Sequence, residues 1–279
     1  MIAAGVIGWP VAHSKSPLIH RFWLAKLGID GDYSRFAVAP GNLGEIIRAL
    51  PKLGLAGVNV TVPHKMAVMA HLNHFDPTAT RINAVNTIIV DPDGTMKGHN
   101  TDFVGVIEPV QAFLESGERG GFALVLGAGG AGRAAVMALT SIGFETLVLN
   151  RNAERARQLT VEAGGAYWDD RNIYDLAENR RLTLHGNERL IIVNATTCGM
   201  IGFPALEVEL DKVDAATVVY DMVYSPLETP LLVAAKARGL RTIDGLQMLV
   251  AQAAAAFVLF YGQPAPREHD AELRALLTA

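Results

Sequence analysis

The chain has 279 residues, of which 50% are hydrophobic and 19% charged, a balance that supports two domains with a sizeable core and excludes disorder. The net charge of −4 leaves no basic footprint for nucleic acid. A single cysteine, Cys198, excludes an internal disulfide, fits a reducing cytoplasm and reads as a small buried hydrophobe.

No charged stretch followed by an apolar run opens the sequence, so no signal peptide is expected. Ala3 to Ile7 reads as a strand and Pro17 to Leu27 as a helix. Between them stands His13-Ser14-Lys15-Ser16-Pro17. Ser16 before Pro17 has the form of an N-cap followed by a first-turn proline. Capping does not explain Ser14. Two hydroxyls before a helix N-terminus suit a ligand carboxylate or hydroxyl; on these residues alone, ligand and purely structural readings stand level.

Tyr33 to Val38 reads as a second strand, Leu43 to Leu50 as a helix and Val58 to Val62 as a third strand. Asn59 and Thr61 are two apart on that strand and share a face, with valines on the other. Lys65 follows at once. A lysine opening a helix is mildly disfavoured by the positive N-terminus, which favours a functional role over a surface one. Ala84 to Val90 reads as a fourth strand and contains Asn86; Asp91-Pro-Asp-Gly94 is a turn by composition. Gly98-His-Asn-Thr101-Asp102 leads into a helix from Phe103 to Glu115. Asp102 there is most simply a cap. Held beside a lysine, it would form a proton-transfer pair in which the carboxylate orients the ammonium.

Ser116 to Gly121 reads as a loop. Then Phe122 to Leu126 reads as a strand, Gly127-Ala128-Gly129-Gly130-Ala131-Gly132 as a turn, and Ala131 to Ile142 as a helix. A G-x-G-x-x-G that closes a strand and opens a helix is the dinucleotide-binding turn. The next strand, Thr146 to Leu149, runs into Asn150-Arg151-Asn152. An NAD site needs a carboxylate there for the ribose 2′-hydroxyl. Arg151 stands instead, with Arg155 a turn later. A guanidinium suits a 2′-phosphate, so the cofactor expected is NADP.

Beyond lie a helix from Glu154 to Ala163, strands at Leu190 to Asn194 and Val218 to Asp221, and helices at Pro230 to Arg238 and Leu246 to Tyr261. The most apolar stretch, Met248 to Phe260, is too short to span a bilayer. The alternation predicts α/β architecture with parallel sheets. An N-terminal substrate domain would precede a Rossmann-type, doubly wound nucleotide domain, with the chemistry expected in the cleft between them.

Ser-Lys-Ser-Pro from Ser14, Asn-Val-Thr-Val-Pro-x-Lys from Asn59, Ala-Val-Asn-Thr ending at Thr87 and Asn-Thr-Asp ending at Asp102 occur in that order. Gly-Ala-Gly-Gly-Ala, Asn-Arg, Tyr-Asp-Met-x-Tyr and Asp-Gly-Leu-x-Met-Leu-x-x-Gln follow, the last ending at Gln252. The set resembles shikimate dehydrogenase of the biosynthetic, NADP-using type over nearly the whole chain. The resemblance implies reversible reduction of 3-dehydroshikimate to shikimate with NADPH, on the pathway to chorismate and the aromatic amino acids. It makes Lys65 the acid/base and Asp102 its partner. It gives Ser14, Ser16, Thr61, Asn86, Tyr224 and Gln252 to the substrate carboxylate and hydroxyls, with Asn59 shaping that site. Gly127 to Ala131 would wrap the pyrophosphate, Asn150, Arg151 and Arg155 would hold the 2′-phosphate end, and Met222 and Gly245 would lie near the nicotinamide.

The domains expected are 1–103 with 246–279 for substrate and 104–245 for NADP. The buried amide of Gln252 needs partners, and the C-terminal helices would return to the substrate domain to supply them. Three residues depart from the family pattern: His99 where Asp or Tyr is frequent, Asn152 for Thr, and Gln247 for Gly. A small-molecule partner is expected, without nucleic acid or membrane, in a monomer or homodimer. The rival readings are an NAD-using quinate/shikimate dehydrogenase, a folate-type dehydrogenase, which the Ser14/Ser16 loop disfavours, and a non-catalytic NADP-sensing module, which need not retain both Lys65 and Asp102.

Overall fold

The computed structural model describes all residues except 115–117, 168–187, 207, 209 and 212. The chain divides into two compact units, Met1–Asp102 with Val250–Ala279, and Phe103–Leu249. Among the described residues no helix is long and apolar enough to cross a membrane.

The first unit begins with β1 (Ile2–Gly8), α1 (Ser16–Leu27), β2 (Gly31–Ala37), α2 (Leu43–Ala49) and β3 (Leu55–Val60). It continues with β4 (His74–Phe75), α3 (Pro77–Ile82), β5 (Thr87–Val90) and β6 (Met96–His99). The sheet order is β2-β1-β3-β5-β6-β4. β1 pairs parallel with β2 and β3, but β5 runs antiparallel to both β3 and β6. The sheet is therefore mixed, not parallel throughout. The cause is local: Asp91 to Gly94 form a tight turn, with the Gly94 N–H donating to the Asp91 carbonyl at 2.8 Å. A turn that short joins only antiparallel strands, whereas parallel neighbours need a crossover. The antiparallel register sets Asn59 opposite Thr87, and Thr87 opposite His99.

Side chains alternate across β3 as its pattern predicts. Val58 and Val60 enter a core with Ile7, Ile47 and Ile88, leaving Asn59 on the other face. Two of the boundaries that differ from expectation bear on the polar residues. β3 ends at Val60, so Thr61 lies just beyond it, and β5 starts at Thr87, so Ala84 to Asn86 form a buried loop. The α1 cap also differs. Lys15 occupies the N-cap, which makes Ser16 and Pro17 the first two helical residues.

In the second unit, α4 (Asp102–Phe113) leads through β7 (Arg119–Leu126), α5 (Gly130–Ser141), β8 (Glu145–Leu149), α6 (Ala153–Ala163) and β9 (Ala166–Tyr167). Then come β10 (Glu188–Asn194), β11 (Val218–Asp221), α7 (Pro230–Ala237), β12 (Arg241–Ile243) and α8 (Gly245–Tyr261). Glu115 and the start of the expected 116–121 loop lie outside the described residues, while Arg119 to Gly121 belong to β7. The order β12-β11-β10-β7-β8-β9 is parallel throughout. Counted within the unit, this is the doubly wound order 3-2-1-4-5-6 read from β9. β7 shows why its sequence is continuously apolar. Ala123 and Val125 enter one core with α5, and Leu124 and Leu126 enter another with α7, as a strand covered on both faces requires.

The C-terminal part of α8 and α9 (Asp270–Thr278) complete the first unit. Phe257 and Tyr261 of α8 join His20, Trp23 and Tyr33 in an aromatic cluster, and the Tyr261 hydroxyl donates to the Asp32 carbonyl at 3.2 Å. Leu273 and Leu277 of α9 are buried.

Candidate functional site

One end of the first unit's sheet collects polar side chains from the ends of β1, β3, β5 and β6. The Lys65 ammonium donates to Asp102 Oδ2 at 2.6 Å, and the Asp102 side chain is only 3% exposed. Asp102 Oδ1 accepts from Asn86 Nδ2 at 2.9 Å. The second Asn86 N–H goes to Thr101 Oγ1, and Asn86 Oδ1 accepts from the Thr101 N–H and the Thr87 hydroxyl. The amide therefore has both donors and both acceptor positions filled.

The network continues inward. Asn59 Nδ2 donates to Thr87 Oγ1 at 2.9 Å, and Asn59 Oδ1 accepts from the Tyr33 hydroxyl at 2.6 Å. A directional chain thus runs from Tyr33 through Asn59, Thr87 and Asn86 to Asp102, where the ammonium meets it. The Lys65 main chain is tied in by the Val85 N–H, which donates to its carbonyl at 2.8 Å. The geometry can hold one ammonium at a fixed point of a half-buried polar site.

Ser14 and Ser16 are buried on the loop after β1. The Ser14 hydroxyl donates to Ser16 Oγ at 3.2 Å and accepts from the Ser16 N–H at 3.3 Å. Ser14, not Ser16, thus supplies the cap-like bond at the start of α1. The Arg35 guanidinium donates twice to the Ser14 carbonyl, at 2.8 and 2.5 Å. The exposed His13 imidazole is held below its ordinary pKa, first by partial burial and then by the Arg35 charge. Thr61 is half-buried and lies against Gly8, where an added Cβ would collide with Thr61 Cγ2. Gln252 is half-buried on the part of α8 that belongs to this unit.

His99, a departure in the sequence, has a defined partner. Its Nδ1 lies 2.9 Å from Asp76 Oδ2, while Asp76 caps α3 by accepting from the Ala79 N–H. Burial pushes the Asp76 carboxyl up, but bonds from His99 and Ala79 outweigh it and leave the group below its usual range.

In the second unit the glycine turn has the geometry its spacing predicts. Gly127 takes φ +111°, a left-handed conformation that side chains disfavour. Gly129 caps α5 and has nothing within 4 Å of where a side chain would start. At Gly132 a Cβ would collide with the Gly127 carbonyl oxygen, so helix and strand pack too closely for any other residue. Asn150 ends the next turn's approach with Nδ2 donating to the Asn152 carbonyl; Arg151 and Arg155 are exposed. Asn152 caps α6, its side chain accepting from the Arg155 N–H at 3.1 Å. Its departure from threonine therefore keeps a good cap.

Met222 and Gly245 are brought together: a Cβ on Gly245 would collide with the Met222 and Val223 carbonyls. The segment is anchored by Asp221, fully buried, which accepts from Asn194 Nδ2, the Val223 N–H and the Thr229 hydroxyl. Burial drives the Asp221 carboxyl above its ordinary range despite those bonds. Tyr224 is half-buried just beyond, in this second unit, and Cys198 is half-buried rather than in the core. Gln247 N–H bonds Asp244, and nothing in the structure explains why glutamine stands there.

Sequence reasoning missed Tyr33, Arg35, Thr87, Thr101 and Asp221. Thr87, Thr101 and Asp221 sit inside motifs already singled out. Arg35 gave no signal, because its partner is a main-chain carbonyl 21 residues away in sequence.

Comparison with known proteins gives the family. Residues 6–88 match the shikimate dehydrogenase substrate binding domain, and 245–272 the shikimate 5′-dehydrogenase C-terminal domain. A shikimate dehydrogenase (NADP(+)) of Paramagnetospirillum magneticum is 48% identical, over 98% of this chain and 97% of that one. Shikimate 5-dehydrogenase of Thermus thermophilus, solved with NADP(H) and shikimate, is 36% identical with a TM-score of 0.85, covering 99% of this chain and 100% of that one. Quinate dehydrogenase of Corynebacterium glutamicum, solved with NAD, gives 30% identity and a TM-score of 0.85 over 99% of each chain. With nearly its full length covered at such identity, the chain belongs to the shikimate dehydrogenase family.

Proposed function

We propose that this chain catalyses the reversible reduction of 3-dehydroshikimate to shikimate with NADPH, on the cytoplasmic route to chorismate and the aromatic amino acids. The Lys65–Asp102 pair carries the reading. A positioned acid/base needs a group that can give and take one proton at a fixed point. In reduction, the Lys65 ammonium gives its proton to the substrate oxygen as that oxygen becomes a hydroxyl. In oxidation, the neutral amine takes the proton back. Asp102 holds the amine in place, and Asn86, filled by protein partners, holds Asp102.

The Ser14 and Ser16 hydroxyls bind the ring carboxylate, and Thr61, Tyr224 and Gln252 bind ring hydroxyls. Asn59 acts through Thr87 and Asn86 to shape the site. NADP, when bound, supplies or takes the hydride. The residues present suit it: Gly129, with open space where a side chain would start, and the N-terminus of α5 behind it let the Gly127 to Ala131 turn approach the pyrophosphate. Arg151 and Arg155, exposed and without a carboxylate at the end of β8, suit a 2′-phosphate. Met222 and Gly245 form the wall for the nicotinamide.

The test is an absorbance assay with shikimate or quinate against NADP or NAD. Quinate carries a hydroxyl on a tetrahedral carbon where shikimate is flat, and a buried unpaired polar group costs about 1–3 kcal/mol, so shikimate is preferred by roughly tenfold or more in kcat/KM. Comparable values for both acids would move the chain to the dual-substrate branch. No turnover with any combination would support the sensing module.

A further inference from the structure

We propose that Arg35 is a positioning residue for carboxylate recognition, holding the Ser14–Ser16 hydroxyl pair through the Ser14 carbonyl and biasing it toward an anion. The inference rests on the reading that this pair binds the substrate carboxylate. Arg35 lies on β2, two residues from Tyr33 and on the same face, opposite Val6 of β1. Both its Nε and Nη2 donate to one oxygen, the Ser14 carbonyl. That clamp fixes the peptide following Ser14. The Ser14 hydroxyl then meets the Ser16 N–H and Ser16 Oγ, and the two side chains are held as a unit.

The guanidinium also contributes charge. Two neutral hydroxyls grip a carboxylate weakly; a cation held on the Ser14 carbonyl beside them, though itself exposed, strengthens the grip. Among the described residues no carboxylate pairs with Arg35, whereas Arg21 on the neighbouring helix is paired with Asp32. The loop's other cation, Lys15, is committed to the Leu277 carbonyl. Arg35 is therefore the charge available to this loop, and its influence already reaches His13 beside Ser14.

The test compares wild type, Arg35→Gln and Arg35→Lys with shikimate and with its methyl ester, which keeps the ring but not the charge. Arg35→Gln should raise KM for shikimate about tenfold and leave kcat within about twofold, with KM for the ester moving less than about threefold and KM for NADP unchanged. Arg35→Lys keeps charge but loses the fork, so KM for shikimate should rise about two- to fivefold. An unchanged KM for shikimate in Arg35→Gln would overturn the proposal. So would an equal rise for acid and ester, which would make Arg35 a scaffold alone. If Arg35→Gln does not fold, Arg35→Lys decides: a wild-type KM for shikimate there sinks the idea. Failure of the underlying reading looks different, because wild type itself would then use acid and ester with the same KM.

Discussion

Lys65 and Asp102 come from opposite ends of a long stretch of sequence, and what joins them is a set of small polar side chains. Asn86 spends all its hydrogen-bonding capacity on the protein, including Asp102. Lys65→Met should lower kcat by roughly two to four orders of magnitude, the usual worth of a positioned acid/base. NADP binding, measured by fluorescence titration, should survive, since the glycine turn belongs to the other unit; wild-type turnover would remove Lys65 from the mechanism. Thr87→Val tests the relay behind it. The change keeps the shape but leaves Asn59 Nδ2 and Asn86 Oδ1 each short of a partner. Denaturant titration should register a loss of about 1–3 kcal/mol, the cost of buried unpaired polar groups, and kcat should fall with it. A neutral result would mean that Thr101 alone suffices for the Asn86 Oδ1 acceptor.

At the scale of elements, helices and strands with a strong period were readable, and short ones were not. The run at Phe122 to Leu126 and the glycines after it located β7, its turn and α5, because covered strands are apolar throughout and the turn has special backbone needs. β6, β9 and β12 and the short helix α3 left no such mark; strands of two to four residues show no period to count. The antiparallel β5 departs from the parallel pattern that alternating elements predict, and in the sequence only the short Asp91 turn marks it. The turn from β8 to α6 carries the cofactor prediction. Arg151→Ala should raise KM for NADP by about ten- to a hundredfold, on about 1.5–3 kcal/mol for a charge-assisted bond, and leave NAD use nearly unchanged. Equal loss with both cofactors would place Arg151 in folding or at the pyrophosphate.

Across the whole molecule, the two units carry buried ionisable groups whose pH dependences have opposite signs. In the first, His20 is fully buried, stacked on Tyr33 at 4.0 Å between ring centroids, and burial lowers its pKa to about 3. Its place in an aromatic core could not be read from an isolated histidine in α1. The unfolded chain takes up a proton near pH 6.5, roughly the ordinary value, while the folded chain refuses it. Stability from His20 is therefore complete above that pH and lost as pH falls toward about 3. In the second unit Asp221 is raised by burial. The folded state holds that proton more tightly, so stability from Asp221 is present below the ordinary carboxylate pKa and lost as pH climbs through the raised one. Acidification from neutrality should weaken the first unit through His20 while Asp221 works the other way in the second. His20→Phe keeps an aromatic ring in the stack and removes the titration. Thermal melts between about pH 4 and 7 should show a flatter fall in Tm on acidification for this variant, with a constant offset from overpacking of about 1–3 kcal/mol. Asp221→Asn should instead steepen the net acid-side fall, because it deletes the opposing contribution. If both variants keep the wild-type slope, neither buried group governs acid stability, and the exposed carboxylate pairs, Arg21 with Asp32 first among them, would have to carry it.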